Sequence, residues 1–284
     1  MGQRTISSIG VVLIGLIPAW FGGWVFAVVF TGITAIAFRE AIAITNPLPT
    51  LLKHLGLTLV VLAGVLAALN SDPQVFALVV ALCVGAPLAA AMFLSEADGI
   101  ETWTSTTSTA LYLALPAHAA IDLRNAIDYP AHVWMKELAG VFPGVADASG
   151  GGLAWLLLAV LVTWLSDTFS YLVGKTWGQR KLLPRVSPNK TVEGALGGLV
   201  AAAFTAVACD VAFGMEVGVA NAIGIGIVLG VVGQVGDLSE SMLKRMRGVK
   251  DSGTFVPGHG GVLDRIDALI FVVVAAWLIA PLAT

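Results

Sequence analysis

The chain has 284 residues, 57% of them hydrophobic and only 12% charged, with a mean hydropathy of +0.90 and a net charge of −3. Hydropathy this high over the whole length excludes a water-soluble domain with a single anchor and points to a polytopic membrane protein. With no basic domain interleaved with aromatics, a nucleic-acid partner is excluded as well.

Crossing a bilayer takes about 20 apolar residues in helical form. Taken in chain order, the apolar runs predict spans at 6–21, 23–44, 51–70, 74–95, 104–123, 153–174, 191–212, 217–237 and 267–283. Arg4 followed by the run from Ile9 to Trp20 has the outline of a signal peptide. No Ala-x-Ala site follows it and apolar character resumes at Trp24, so a retained first helix is expected. The Gly22–Gly23 pair separates the first two spans, and Asn70–Ser71–Asp72–Pro73 reads as a tight turn between the third and fourth. The long gap from Asp122 to Gly152 reads as a loop ending in Ser149–Gly150–Gly151–Gly152. Cys83 and Cys209 lie in apolar segments without metal-ligand spacing, as buried small hydrophobes do. Glycines such as Gly194, Gly197 and Gly198 are expected to let helices approach closely.

The expected fold class is therefore all-α, a polytopic integral membrane helical bundle of about nine transmembrane helices. Residues 1–152 would hold about five spans and a non-cytoplasmic loop, and 153–284 a C-terminal core carrying the polar loops. An N-inside topology places all but Arg124 and Lys136 of the 15 basic residues on the cytoplasmic side, in accord with the positive-inside rule.

Three polar clusters are expected on that side. The first is Ser166–Asp167–Thr168, followed by Ser170 and Tyr171. Asp167 follows the apolar run Leu153 to Leu165, and a carboxylate within a membrane is a functional candidate unless it merely pairs with a nearby lysine. The second runs from Leu182 to Gly198 and holds Ser187, Lys190, Thr191 and Glu193. Thr191 has the position of a helix cap, and Lys190 stands where the amides of a helix start also favour an anion. A solvated loop with a snorkelling lysine accounts for the same residues.

The third cluster, Ser241 to Asp267, is the most informative. It combines Lys244, Arg245, Arg247, Lys250 and Arg265 with Asp251, Asp264, Asp267, His259 and several glycines. Asp237 is expected to end the eighth span and Asp264 to begin the ninth. Carboxylates at neighbouring helix ends suit magnesium, which takes oxygen ligands from one or two carboxylates plus substrate phosphates. Lys244, Arg245, Lys250 and Arg265 can neutralise a polyphosphate, with arginine offering bidentate geometry. Gly260 and Gly261 permit close backbone approach. Asp264 and Asp267, three apart, would share a helix face. A cytoplasmic loop obeying the positive-inside rule would account for the cations, but not for the acids or the Gly-His-Gly-Gly run.

Ser241-x-x-Lys244-Arg245, Lys250-Asp251 and Pro257-x-His259-Gly260-Gly261-x-x-Asp264-Arg265-x-Asp267 together closely resemble the signature of the phosphatidate cytidylyltransferase (CDP-diacylglycerol synthase) family. Val256 stands where that family usually has Leu, Ile or Phe. Ser187-Pro188-Asn189-Lys190-Thr191-x-Glu193-Gly194 resembles its second run, with Asn189 where Lys is common. Ser166-Asp167 through Gly174 resembles the third, with Ser170 where Ala is frequent. The likeness covers roughly 160–270 and is only hydropathic before that.

The resemblance implies an inner-membrane enzyme facing the cytoplasm that joins CTP and phosphatidic acid into CDP-diacylglycerol and pyrophosphate. It implies dependence on magnesium, with room for a second cation, and a homodimer. Asp237 and Asp264 are the expected metal ligands. Lys244, Arg245, Lys250 and Arg265 are expected to bind phosphates, and His259 to donate a hydrogen bond to one. Lys190 would serve either substrate, with Ser187, Thr191, Glu193, Asp167, Gly260 and Gly261 lining the site. Asp251 and Asp267 would orient the basic residues. The alternatives are a transporter of an anionic metabolite, which would place charge near the midplane of two related halves, and a cytidylyltransferase for another lipid phosphate.

Overall fold

The computed structural model describes residues 13–45, 48–70, 72–94, 96–126, 128–141, 150–256 and 260–283. They form α1 (residues 13–21), α2 (Gly23–Ile44), α3 (Thr50–Leu69), α4 (Pro73–Ala91), α5 (Glu96–Asn125), α6 (Val133–Ala139) and α7 (Gly150–Trp177). A hairpin of β1 (Lys181–Leu183) and β2 (Ser187–Thr191) follows, then α8 (Val192–Phe213), α9 (Val219–Met246), α10 (Leu263–Ile266) and α11 (Leu269–Ala283). The expected helical membrane class is what the chain adopts. Among the described residues, six helices are long and apolar enough to cross a bilayer: α2, α3, α4, α7, α8 and α9. The remaining predicted spans fall on α5, whose first turns are polar, on the 15-residue α11, and on a first run only partly within the described residues.

Two compact units divide the chain, Met1–Asp122 with Arg247–Arg265, and Leu123–Met246 with Ile266–Thr284. In the first unit, α3 packs between α2 and α4. Small residues make this close: Gly56 lies under the ring of the buried Phe38, and Gly64 lies against Thr31. Gly22 and Gly23, at φ 68° and 47°, turn the chain between α1 and α2 through backbone angles that only glycine adopts readily. The predicted turn before α4 is a helix start, with Pro73 in its first turn and Asp72 Oδ1 accepting from the Gln74 N–H at 2.8 Å.

In the second unit α7, α8, α9 and α11 pack together. The glycines of α8 set the spacing. A Cβ on Gly194 would stand 2.6 Å from the Ser170 carbonyl oxygen, and one on Gly198 would stand 2.9 Å from that of Ser166. A Cβ on Gly226 of α9 would approach the Ala202 carbonyl to 2.5 Å. Gly198→Val should therefore cost about 1–3 kcal/mol of stability by overpacking, read as a lower midpoint of thermal unfolding in detergent; an unchanged midpoint would mean that α7 and α8 are not held this close.

Three expectations need correction. Gly150, Gly151 and Gly152 do not end a loop; they are buried in the first turn of α7, where a Cβ on Gly152 would meet the Leu123 carbonyl at 2.5 Å. Close approach to backbone, not a bend, explains them. The gap preceding them also contains α6. Asp237 does not end its helix, because α9 continues to Met246, supported by a Glu240–Lys244 ion pair one turn apart. Finally, Asp264 and Asp267 share no continuous helix. The single turn of α10 stops at Ile266, and the Asp267 carboxylate accepts from the Ala268 N–H at 2.8 Å.

Candidate active site

The hairpin carries the second polar cluster. Its strands are antiparallel, with Lys181 opposite Thr191 and Leu183 opposite Ser187. At its end Thr191 is the N-cap of α8, its hydroxyl accepting from the Gly194 N–H at 3.1 Å. Glu193 closes the other side, accepting from the Gln179 and Arg180 amides at 3.0 and 3.2 Å and pairing with the Arg180 side chain. Thr191 and Glu193 thus hold the hairpin in position, and the residue between them and the turn, Lys190, is delivered to a fixed place.

That place is a cleft of about 590 Å³ in the second unit. Asp167, Ser170 and Tyr171 of α7 line it, with Lys190 of β2 and Gln234 and Asp237 of α9. Lys190 Nζ donates to Asp237 Oδ2 in an ion pair, and Gln234 Nε2 donates to the Ala195 carbonyl at 2.9 Å. The Asp167, Asp237 and Asp267 carboxylates are near enough to repel one another, with Lys190 and Lys244 providing opposing charge. Three helices and a hairpin therefore concentrate acid and base around one opening. Such an arrangement suits a phosphate ligand accompanied by a divalent cation.

The signature segment belongs to the first unit from Arg247 to Arg265. Asp264 Oδ2 accepts from two backbone amides, Ser252 at 2.9 Å and Gly261 at 2.7 Å. Val256 N donates to the Gly260 carbonyl at 2.9 Å, so the segment closes on itself through an isolated bridge. Gly260, at φ 84°, faces the same carboxylate: a Cβ there would stand 2.5 Å from Asp264 Oδ2. Lys250, Asp251 and Arg265 are exposed. His259 lies outside the described residues.

The sequence-predicted residues thus fall into two groups. Asp167, Lys190, Thr191 and Asp237 come together around the cleft, with Asp267 coupled to them electrostatically. Asp264, Gly260 and Gly261 come together in the signature segment, and Ser187 pairs within the hairpin. Arg245 is exposed near the end of α9, whereas Lys244 is buried and ion-paired with the fully buried Glu240. Glu240 and Gln234 were not foreseen; the four-residue spacing of Glu240 and Lys244 was the available signal. Also unforeseen is Glu40 of α2, a carboxylate next to Arg39 near the end of a largely apolar helix, which by the same reasoning as for Asp167 is a functional candidate.

Fold and cleft define a helical membrane protein that gathers carboxylates and cations at one opening. The profile of the cytidylyltransferase family matches residues 2–282, and the chain belongs to that family. It is similar to the phosphatidate cytidylyltransferase of Staphylococcus aureus (strain COL), 47% identical over 121 residues, or 43% of this chain and 46% of that protein. The Bacillus subtilis (strain 168) protein of the same name is 39% identical over 166 residues, 58% of this chain and 54% of that one. The chain spans about half the length of the curated relatives it matches.

Proposed function

We propose that this protein transfers CMP from CTP to phosphatidic acid, giving CDP-diacylglycerol and pyrophosphate. The observation carrying this reading is the cleft in which Lys190 and Asp237 pair beside Asp167, in a chain that fits the cytidylyltransferase family over nearly its full length. A phosphatidate oxygen attacks the α-phosphorus of CTP, a new P–O bond forms, and the bond to the β-phosphate oxygen breaks with pyrophosphate leaving. The attacking oxygen is already anionic near neutral pH, so the residues act by positioning and charge neutralisation and need no strong base. The bilayer supplies the lipid, the active site faces the cytoplasm at the inner membrane, and the functional unit is a homodimer.

The residues fit magnesium. Among the described residues no group of three or more His, Cys, Asp or Glu is arranged to hold a metal unaided. The oxygen-rich surroundings of Asp237 instead suit an ion that takes most of its ligands from phosphate and water. Asp237 is the carboxylate that would hold it at the cleft, and Asp264 is a further carboxylate candidate within the signature segment. Magnesium when bound would offset charge on the nucleotide phosphates and on the departing pyrophosphate.

Lys190 holds a phosphate and keeps Asp237 oriented. Arg245, Lys250 and Arg265 bind phosphates from exposed positions, with His259 as a further donor and Asp251 orienting the cations. Lys244 supports them from its buried pair with Glu240. Thr191, Glu193 and Ser187 shape the hairpin that presents Lys190.

Purified protein given phosphatidate and labelled CTP should form CDP-diacylglycerol with magnesium and lose that activity in chelator. No labelled lipid under any condition would overturn the reading, and labelling of a different lipid phosphate alone would reassign the substrate. Lys190→Ala should raise the KM for CTP or phosphatidate about tenfold or more, the loss expected for a charge-assisted hydrogen bond. Unchanged KM for both would leave Lys190 as a surface cation.

A further inference from the structure

The signature segment is not held by its own residues alone. Glu40, on α2 and in the same compact unit, reaches it from more than 200 positions earlier in the chain. Its Oε2 accepts from the Leu263 backbone N–H at 2.8 Å and from the Ser252 hydroxyl at 3.3 Å. Ser252 and Leu263 are buried, at 5% and 0% exposure, so these contacts are sheltered from water and their loss leaves polar groups without compensation.

Two glycines make room for this carboxylate. A Cβ on Gly253 would stand 2.5 Å from Glu40 Oε1, and one on Gly261 would stand 2.5 Å from Oε2. Gly261 also donates to Asp264, and Ser252 donates to Asp264 through its own amide. Glu40 and Asp264 therefore share a partner: Ser252 bonds both carboxylates, one through its hydroxyl and one through its N–H. Any displacement of Glu40 is passed to Asp264 through Ser252 and through the Gly261–Leu263 backbone.

We infer that Glu40 is a positioning residue for the transfer reaction, a carboxylate from the N-terminal helices that fixes the signature segment and, through it, the Asp264 carboxylate. This rests on the function proposed above for the segment. Glu40 touches no substrate in this scheme. It acts by preorganisation, where an error of about 1 Å in a catalytic group costs on the order of 100-fold in rate.

The test uses the whole 284-residue chain in detergent, with phosphatidate, labelled CTP and magnesium. Glu40→Ala should lower kcat by about tenfold or more while the KM for CTP changes by less than about threefold. Glu40→Gln keeps an oxygen able to accept from both Leu263 and Ser252, so it should restore kcat to within about threefold of the parent. Tryptic cleavage after the exposed Lys250 supplies a readout independent of turnover: it should be faster in Glu40→Ala and near parental in Glu40→Gln. Should Glu40→Ala fail to fold, Gly253→Ala displaces the same carboxylate and should show the same fall in kcat and the same faster cleavage.

Parental kcat and parental cleavage in Glu40→Ala would overturn the inference, and so would a Glu40→Gln variant as impaired as Glu40→Ala, since charge and not geometry would then be at stake. A parent protein that transfers no CMP would defeat the proposed function instead, and the cleavage rates would still decide whether Glu40 holds the segment.

Discussion

Asp237→Asn should reduce CMP transfer by roughly 100-fold or more while leaving the helical protein intact, a loss of the size seen when a preorganised charge at a transition state is removed. The substitution preserves shape and still accepts from Lys190, so the hairpin and cleft should persist. What it removes is the negative charge that Lys190 balances and that Asp167 and Asp267 feel. Asp264→Asn is the companion experiment. Its amide oxygen can still accept from the Ser252 and Gly261 amides, so the segment should keep its form while the carboxylate chemistry is lost. Initial rates at saturating CTP and phosphatidate, alongside thermal unfolding, decide both cases. Near-parental turnover in either variant would remove that residue from the proposed metal ligands.

The second large effect concerns stability. Glu240 is fully buried and Lys244 nearly so, and they pair along α9. Removing one partner from a buried ion pair commonly costs about 3–5 kcal/mol, because the other charge is left in a medium that solvates it poorly. Lys244→Ala should accordingly lower the unfolding midpoint sharply. Glu240→Gln combined with Lys244→Met, which removes both charges at similar volume, should be markedly less damaging than Lys244→Ala. If the double variant unfolds no later than the single one, the pair is not the source of the stability.

The apolar runs were easy to read because hydropathy and length dictate membrane helices: the predicted 23–44 span is the observed Gly23–Ile44 helix. Helix ends were harder. The end of α9 was placed at Asp237 because charge begins there, yet side-chain pairing carries the helix to Met246. The glycines of the first turn of α7 read as the end of a loop, since composition cannot distinguish a glycine that bends from one that lets backbone approach. The gathering of Asp167, Lys190 and Asp237 was legible as three polar interruptions of apolar sequence. That Lys190 pairs with Asp237 depends on hairpin register, which the sequence does not announce. Glu40 stands beside Arg39 near the end of the predicted 23–44 span, where the sequence carries no sign of a distant partner. Only the tertiary contact to Ser252 and Leu263 separates it from an ordinary helix-end charge.

That contact also bears on biogenesis. Glu40 and Leu263 are 223 positions apart, so at roughly 5–20 residues per second a ribosome needs about 10–45 s to supply the second after the first. Until then the earliest helices must sit in the translocon or the lipid with an acidic group awaiting its amide partner. The signature segment therefore gains its Glu40 contact only late in synthesis, after Leu263 has been added.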